Sequence, residues 1–150
     1  MNREIIYRGK RCSDGEWVYG FYVESKCSWQ GHKPHKSWIV PNAISNGGFF
    51  NILGRYAVKD DTVGQFAGLY DKNGMKIFEG DIVEVYDFTS AYASKYRGVV
   101  KMYRGSWCVE YEDSILDIVA HPRLFFDDFA DRKTEVIGNI YDNQDLLNKK

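Results

Sequence analysis

The chain reads as a mainly β protein, on three observations. Aromatic residues make up 16% of its 150 residues, and flat rings pack well on a pleated surface. Short β-branched and aromatic runs recur along it, bounded by Gly, Asn, Asp and Pro. Most informative is DTVGQFAGLYDKNGMKIFEGDIVEV, Asp61 to Val85, in which two sharp reversals stand close together. Lys72-Asn73-Gly74 supplies the first, because Asn and Gly tolerate the positive φ of a tight hairpin. Glu79-Gly80-Asp81 supplies the second, just ahead of the β-branched run Ile82-Val83-Glu84-Val85. The expected architecture is a small SH3-like barrel in the C-terminal half, with an N-terminal β unit packed on it and a short C-terminal helical turn. The expected division is residues 1–58 for the β unit and 59–150 for the barrel.

In chain order, Ile5 to Arg8 predicts a short opening strand. Asp14-Gly15 predicts a turn, and Glu16 to Val23 a second, aromatic strand. Cys27 to Lys36 reads as a loop. Ser37 to Val40 predicts a strand stopped by Pro41-Asn42. Asn46-Gly47-Gly48 marks a turn before Phe49 to Leu53, and Arg55 to Val58 leads into the central hairpin. Its first strand is expected over Val63 to Leu69. Asp87 to Lys95 is polar and reads as a projecting loop. Gly98 to Tyr103 and Trp107 to Tyr111 predict a hairpin around Arg104-Gly105-Ser106. Alternation places Trp107, Val109 and Tyr111 on one face and Cys108 and Glu110 on the other. Ser114 to Ala120 is ambiguous, and Leu124 to Phe129 has helical spacing. Val136 to Tyr141 predicts the closing strand, with Asp142 or Asn143 capping a last helical turn through Leu147.

A chain of this length can bury a real core. Its net charge of −1 lacks the Lys/Arg excess that nonspecific duplex DNA binding needs, so bulk duplex DNA is not an expected partner. The balance is uneven: residues 1–56 carry eight Lys/Arg against four Asp/Glu, and residues 57–150 twelve against seventeen. An anionic ligand would therefore meet the N-terminal part or local basic clusters. Cys12, Cys27 and Cys108 are three and scattered, which fits a reducing compartment and no disulfide framework. No apolar run approaches the roughly 20 residues of a membrane span, and Met1 to Lys10 has no signal-peptide core. A cytoplasmic protein with no membrane association is expected.

Four stretches resemble the YopX family of small bacteriophage and prophage proteins: REIIYRGKR (Arg3 to Arg11), GEWVYGFYV (Gly15 to Val23), DTVGQFAGLYDKNGMKIFEGDIV (Asp61 to Val83) and VIGNIYDNQDLL (Val136 to Leu147). Gln144 stands where that family usually has Pro, and Tyr70 where Lys is common. The resemblance implies a phage or prophage origin, an SH3-like barrel in the C-terminal half and expression inside a bacterial host. It brings no catalytic residues to transfer.

Several groups of residues invite a chemical reading. Glu79, Asp81 and Glu84 are acidic, yet Gly-Asp at a strand entrance is better explained by the Asp side chain accepting local backbone N–H groups. Cys27, His32 and His35 approach a metal-ligand spacing, but a fourth ligand is missing and Pro34 intervenes, so no metal is expected. Asp127, Asp128 and Asp131 could hold Mg²⁺, but Arg123, Arg132 and Lys133 flank them as in a salt-bridged surface. There is no G-x-S-x-G elbow and no phosphate-cradling glycine loop. His121-Pro122 is isolated. No enzyme and no cofactor is expected.

The functional pointer is basic residues interleaved with aromatics, since bases stack on rings and phosphates pair with Lys or Arg. One cluster is Trp29, His32, Lys33, His35, Lys36 and Trp38. A second is Tyr92, Lys95, Tyr96 and Arg97. A third is Lys101, Tyr103, Arg104 and Trp107. The competing explanation puts Trp38, Tyr103 and Trp107 in the core and the cations on the outer face of the same strands. The expected function is a non-enzymatic phage accessory protein, homo-oligomeric, binding a small nucleotide and so able to sequester a host defence signal. The alternatives are a module contacting a host or phage protein, and a nucleic-acid-binding SH3-like barrel.

Overall fold

Residues 4–24, 37–41, 56–87, 94–111 and 134–147 are described by the structure, a computed structural model. It is mainly β, with antiparallel strands throughout and only two short 3-10 turns among the described residues. The chain divides into two compact units, Met1–Phe66 and Ala67–Lys150.

In the first unit β1 (Tyr7–Lys10), β2 (Trp17–Glu24), β3 (Ser37–Val40) and the start of β4 (Gly64–Tyr70) lie in the order β3-β2-β1-β4. The predicted turn at Asp14-Gly15 joins β1 to β2. Gly15 takes a positive φ of 76°, and Asp14 Oδ1 accepts the Glu16 N–H at 3.0 Å. β1 starts two residues later than Ile5. Ile39 and Val58 are fully buried, and Ile6, Trp38, Ala57 and Phe66 nearly so; full burial of each aliphatic side chain is worth about 2 kcal/mol. The 3-10 turn Asp60–Thr62 is tied to β1 through buried Thr62, whose hydroxyl donates to Lys59 O at 2.7 Å and accepts from Lys10 N–H at 2.9 Å.

In the second unit the end of β4 is followed by β5 (Lys76–Phe78), β6 (Asp81–Asp87), β7 (Ser94–Tyr103), β8 (Ser106–Tyr111) and β9 (Thr134–Asn139). The last four form a sheet in the order β8-β7-β6-β9. Its core is Ala67, Ile77, Val83, Val100, Trp107 and Val109, with Leu69, Val85 and Val136 packed against it. The register explains the selection: Val83 faces Val136 across one pair of strands and Val100 faces Val109 across another, so alternate residues share the buried side. Trp107 and Val109 lie there as their alternation predicts.

Both reversals of the central segment are present. Gly74 (φ 78°) and Gly80 (φ 80°) occupy the left-handed region that other residues enter at a cost. Asp81 is buried and its Oδ2 accepts the Phe78 N–H at 2.7 Å, the local turn role expected of it.

Further details in the second unit differ from the sequence expectation. The loop expected over Asp87 to Lys95 is shorter at both ends, because pairing continues through Tyr86↔Lys95 and Asp87↔Ser94. The closing strand starts at Thr134 and stops at Asn139, whose Oδ1 accepts the N–H groups of Tyr141 and Asp142 at 3.0 Å and turns the chain. Asn143 stands at the N-cap of the final 3-10 turn, Gln144–Leu146, but its side chain makes no cap bond. It reaches back instead to accept the Asn139 N–H at 3.2 Å. Phe49 to Leu53, Ser114 to Ala120 and Leu124 to Phe129 lie outside the described residues.

Candidate functional site

Two surfaces carry aromatic and basic side chains together, one in each unit. In the second unit the outer face of the β6–β7 pair collects Glu84, Tyr86, Lys95 and Arg97. Their register, Glu84↔Arg97 and Tyr86↔Lys95, sets them side by side. Glu84 is buried and takes Arg97 Nη2 at 2.8 Å on one carboxylate oxygen and Lys95 Nζ at 2.6 Å on the other. A second Arg97 nitrogen donates to Leu146 O at 2.7 Å, tying the C-terminal turn to β7. Burial alone would push the Glu84 carboxyl up, but the hydrogen bonds and charges of Lys95 and Arg97 outweigh it and hold it below the ordinary value. The Lys95 ammonium is raised, chiefly by its bond to Glu84.

Tyr86 lies between two ammonium groups, Lys72 at 5.0 Å and Lys95 at 5.5 Å from the ring centroid. Lys72 in turn pairs with Glu135 at 2.6 Å. Just behind it, buried Asp71 accepts the N–H groups of Asn73 (2.8 Å) and Met75 (2.9 Å) on Oδ1 and that of Val136 (3.0 Å) on Oδ2. One carboxylate thus closes the Asn-Gly hairpin and fastens it to β9.

The structure brings Lys95 and Arg97 together on Glu84, while Lys101 and Arg104 of the sequence-predicted set have other partners. Lys101 lies four residues beyond Arg97 along β7, about 13 Å at the rise of a strand, and pairs with Glu110. Arg104 is at the hairpin tip, its guanidinium 5.2 Å from the Tyr103 ring centroid. Tyr96 falls on the opposite alternation from Lys95 and Arg97 and is 40% exposed. Trp107 is a core residue and Trp38 is buried in its own unit. Trp29, His32, Lys33, His35, Lys36 and Tyr92 lie outside the described residues, as do Cys27 and the Asp127, Asp128 and Asp131 group.

The second surface is the outer face of β2. Trp17, Tyr19, Phe21 and Val23 alternate onto it, and Tyr19, Phe21 and Val23 are 49%, 55% and 42% exposed. From β1, Arg8 (opposite Tyr19) and Lys10 (opposite Trp17) join the same face. The buried Arg8 guanidinium lies 4.7 Å from the Trp17 ring centroid and the Lys10 ammonium 5.5 Å from it. A cation over an indole both fixes the ring and places charge beside it. The opposite alternation carries Tyr22, whose ring packs against that of Tyr7, tilted by 39° with centroids 5.4 Å apart, and whose hydroxyl meets the buried Ser37 hydroxyl at 3.2 Å. Sequence reasoning recognises this strand but not its face, since Val18 and Tyr22 make the other alternation equally apolar. The available signal was W-x-Y-x-F-x-V opposite R-x-K.

Among the described residues no group of three or more His, Cys, Asp or Glu could hold a metal ion. Among them, too, no helix is long and apolar enough to cross a membrane. Burial raises the thiols of Cys12 and Cys108, aided by Asp60 beside the first and Glu110 beside the second, so neither is primed as a nucleophile.

The molecule is thus an all-β protein of antiparallel strands, with a ring-bearing face in its first unit and an ion-paired face in its second. The YopX protein family matches residues 6–148, and the chain belongs to that family. Its structure is similar to the crystal structure of protein EF1440 from Enterococcus faecalis, at 22% identity and a TM-score of 0.48, over 97% of this chain and 99% of that one. No curated protein matches the chain.

Proposed function

We propose that the chain is a non-enzymatic accessory protein that binds a phosphate-bearing ligand of the nucleotide class through the outer face of β2. The observation that carries this is the exposure of Tyr19 and Phe21 beside Trp17, on which Arg8 and Lys10 place their charges. Rings that are left out of the core give a base a flat surface to stack on, and the neighbouring cation suits its phosphate. The Lys95–Glu84–Arg97 group is less suited to that task, because a phosphate would have to displace a buried carboxylate that already satisfies both cations. A bacteriophage or prophage setting, implied by the YopX resemblance, gives such binding a use inside the host cell in capturing a nucleotide defence signal.

Titration calorimetry with the full chain tests this against linear and cyclic nucleotides and short single strands. Measurable heat with at least one is expected, with affinity falling at least about tenfold when Tyr19 and Phe21 are both replaced by Ala. No heat with any of them removes the proposal. Recovery of one stoichiometric, nuclease-insensitive protein partner that the same double variant loses would turn the face into a protein-docking surface.

A further inference from the structure

We infer that the β2 face receives an extended single-stranded nucleic acid, with successive bases laid on Trp17, Tyr19 and Phe21, a conclusion that rests on the proposed function and narrows it. The three rings occupy every second position of one strand, so they recur at about 7 Å along a line. In a stacked strand phosphates recur about every 3.4 Å. Bases that reach rings about 7 Å apart therefore leave one another's faces, as they do on an aromatic platform. A single nucleotide engages one ring of such a row and leaves the others unused, whereas a strand engages all three.

Charge favours the same occupant. The unit holding this face, Met1–Phe66, contains nine Lys/Arg against six Asp/Glu, whereas Ala67–Lys150 contains eleven against fifteen. On the face itself, Lys10 is half-buried with its ammonium 5.5 Å from the Trp17 ring centroid, beside the path of the strand. Arg8, almost wholly buried, holds the Trp17 ring in position. Glu24, at the end of β2, alternates onto the opposite face, away from the path of the strand.

Fluorescence anisotropy with oligothymidylates and oligouridylates of one to eight nucleotides, using the full chain, tests the inference. Affinity is expected to rise steeply up to three or four nucleotides and then level off. Tyr19→Ala and Phe21→Ala should each lower the affinity of a four-nucleotide strand about tenfold, and leave folding unchanged by circular dichroism. The slope of log K against log salt should be shallow, and Lys10→Gln should reduce it by about 0.7, the value for one phosphate of a single strand. Equal affinity for one and four nucleotides would overturn the single-strand inference while leaving nucleotide binding intact. Equal affinity for a duplex would also overturn it, because bases paired inside a helix cannot reach the rings. Absence of binding at every length, and to free nucleotides, would remove the parent proposal as well.

Discussion

The outer faces of β2 and of the β6–β7 pair are built from the same kinds of residue, and folding puts those residues to opposite uses. On β6–β7 the cations converge on carboxylates: Lys95 and Arg97 on Glu84, Lys72 on Glu135, and Lys101 on Glu110 nearby. The large ring of that sheet, Trp107, is turned inward among Ile77, Val83 and Val100. On β2 the rings are outside, and the cations of β1 are laid over one of them. What separates the two is register rather than composition. A Glu directly across from an Arg consumes the charge, whereas an Arg across from a Tyr, diagonal to a Trp, leaves the ring face as the feature presented.

Truncating one ring in each unit gives the sharpest contrast. Trp107→Ala should cost about 4 kcal/mol, since it empties the centre of the second unit's core. Phe21→Ala should stay within about 0.5 kcal/mol of the parent, as exposed positions do. Urea denaturation of both variants measures the gap. A destabilisation of several kcal/mol from Phe21→Ala would mean that the ring packs against something in solution, and would break the comparison. Asp71→Ala should come next, at about 3 kcal/mol, because three backbone N–H groups lose their acceptor and the hairpin is released from β9.

The ion-paired face has its own signature in pH. Glu84→Gln should cost about 2 kcal/mol near neutrality, where the carboxylate binds Lys95 and Arg97. Since folding holds this carboxyl below its ordinary value of 4.5, its contribution is complete above that pH. It is lost as pH falls through the lower, folded-state value. The stability difference between parent and variant should therefore be constant above about pH 5 and shrink in more acid solution. A difference that persists unchanged to strongly acid pH would show that shape, not charge, makes Glu84 matter.

Much of this fold is legible in the sequence, for local reasons. Gly74 and Gly80 mark the central reversals because glycine enters the left-handed angles at little steric cost, while Asn73 and Asp81 stay out of them. β3 runs from Ser37 to Val40 as predicted because Pro41 cannot continue it. Where the signals are not local the reading falls short. Asp71 looks like an ordinary turn residue, and its bond to Val136, 65 positions away, is not visible from its neighbours. Lys95, Arg97 and Lys101 form a cluster along the chain, yet their partners, Glu84 and Glu110, sit on the strands either side. Sequence proximity groups residues along one strand, but charge is settled across strands.

Arg104 gives the smallest expected effect, and one of opposite sign. It is the first central residue of the β7–β8 hairpin and has a φ of 49°, with Gly105 at 84° after it. Both central residues in the left-handed region define the hairpin turn for which Asn-Gly is preferred. A side chain such as Arg carries a steric cost of about 1 kcal/mol there, which Asn largely escapes. Against that stands the contact of the guanidinium with the exposed side of Tyr103, about 0.5 kcal/mol at such a site. Arg104→Asn should therefore stabilise the protein by about 0.5 kcal/mol, seen as a higher denaturation midpoint with an unchanged slope. If the β2 face is the binding surface, the same variant keeps full affinity for single strands. A loss of binding with this gain in stability would move the site to the second unit and reverse the assignment of the two faces.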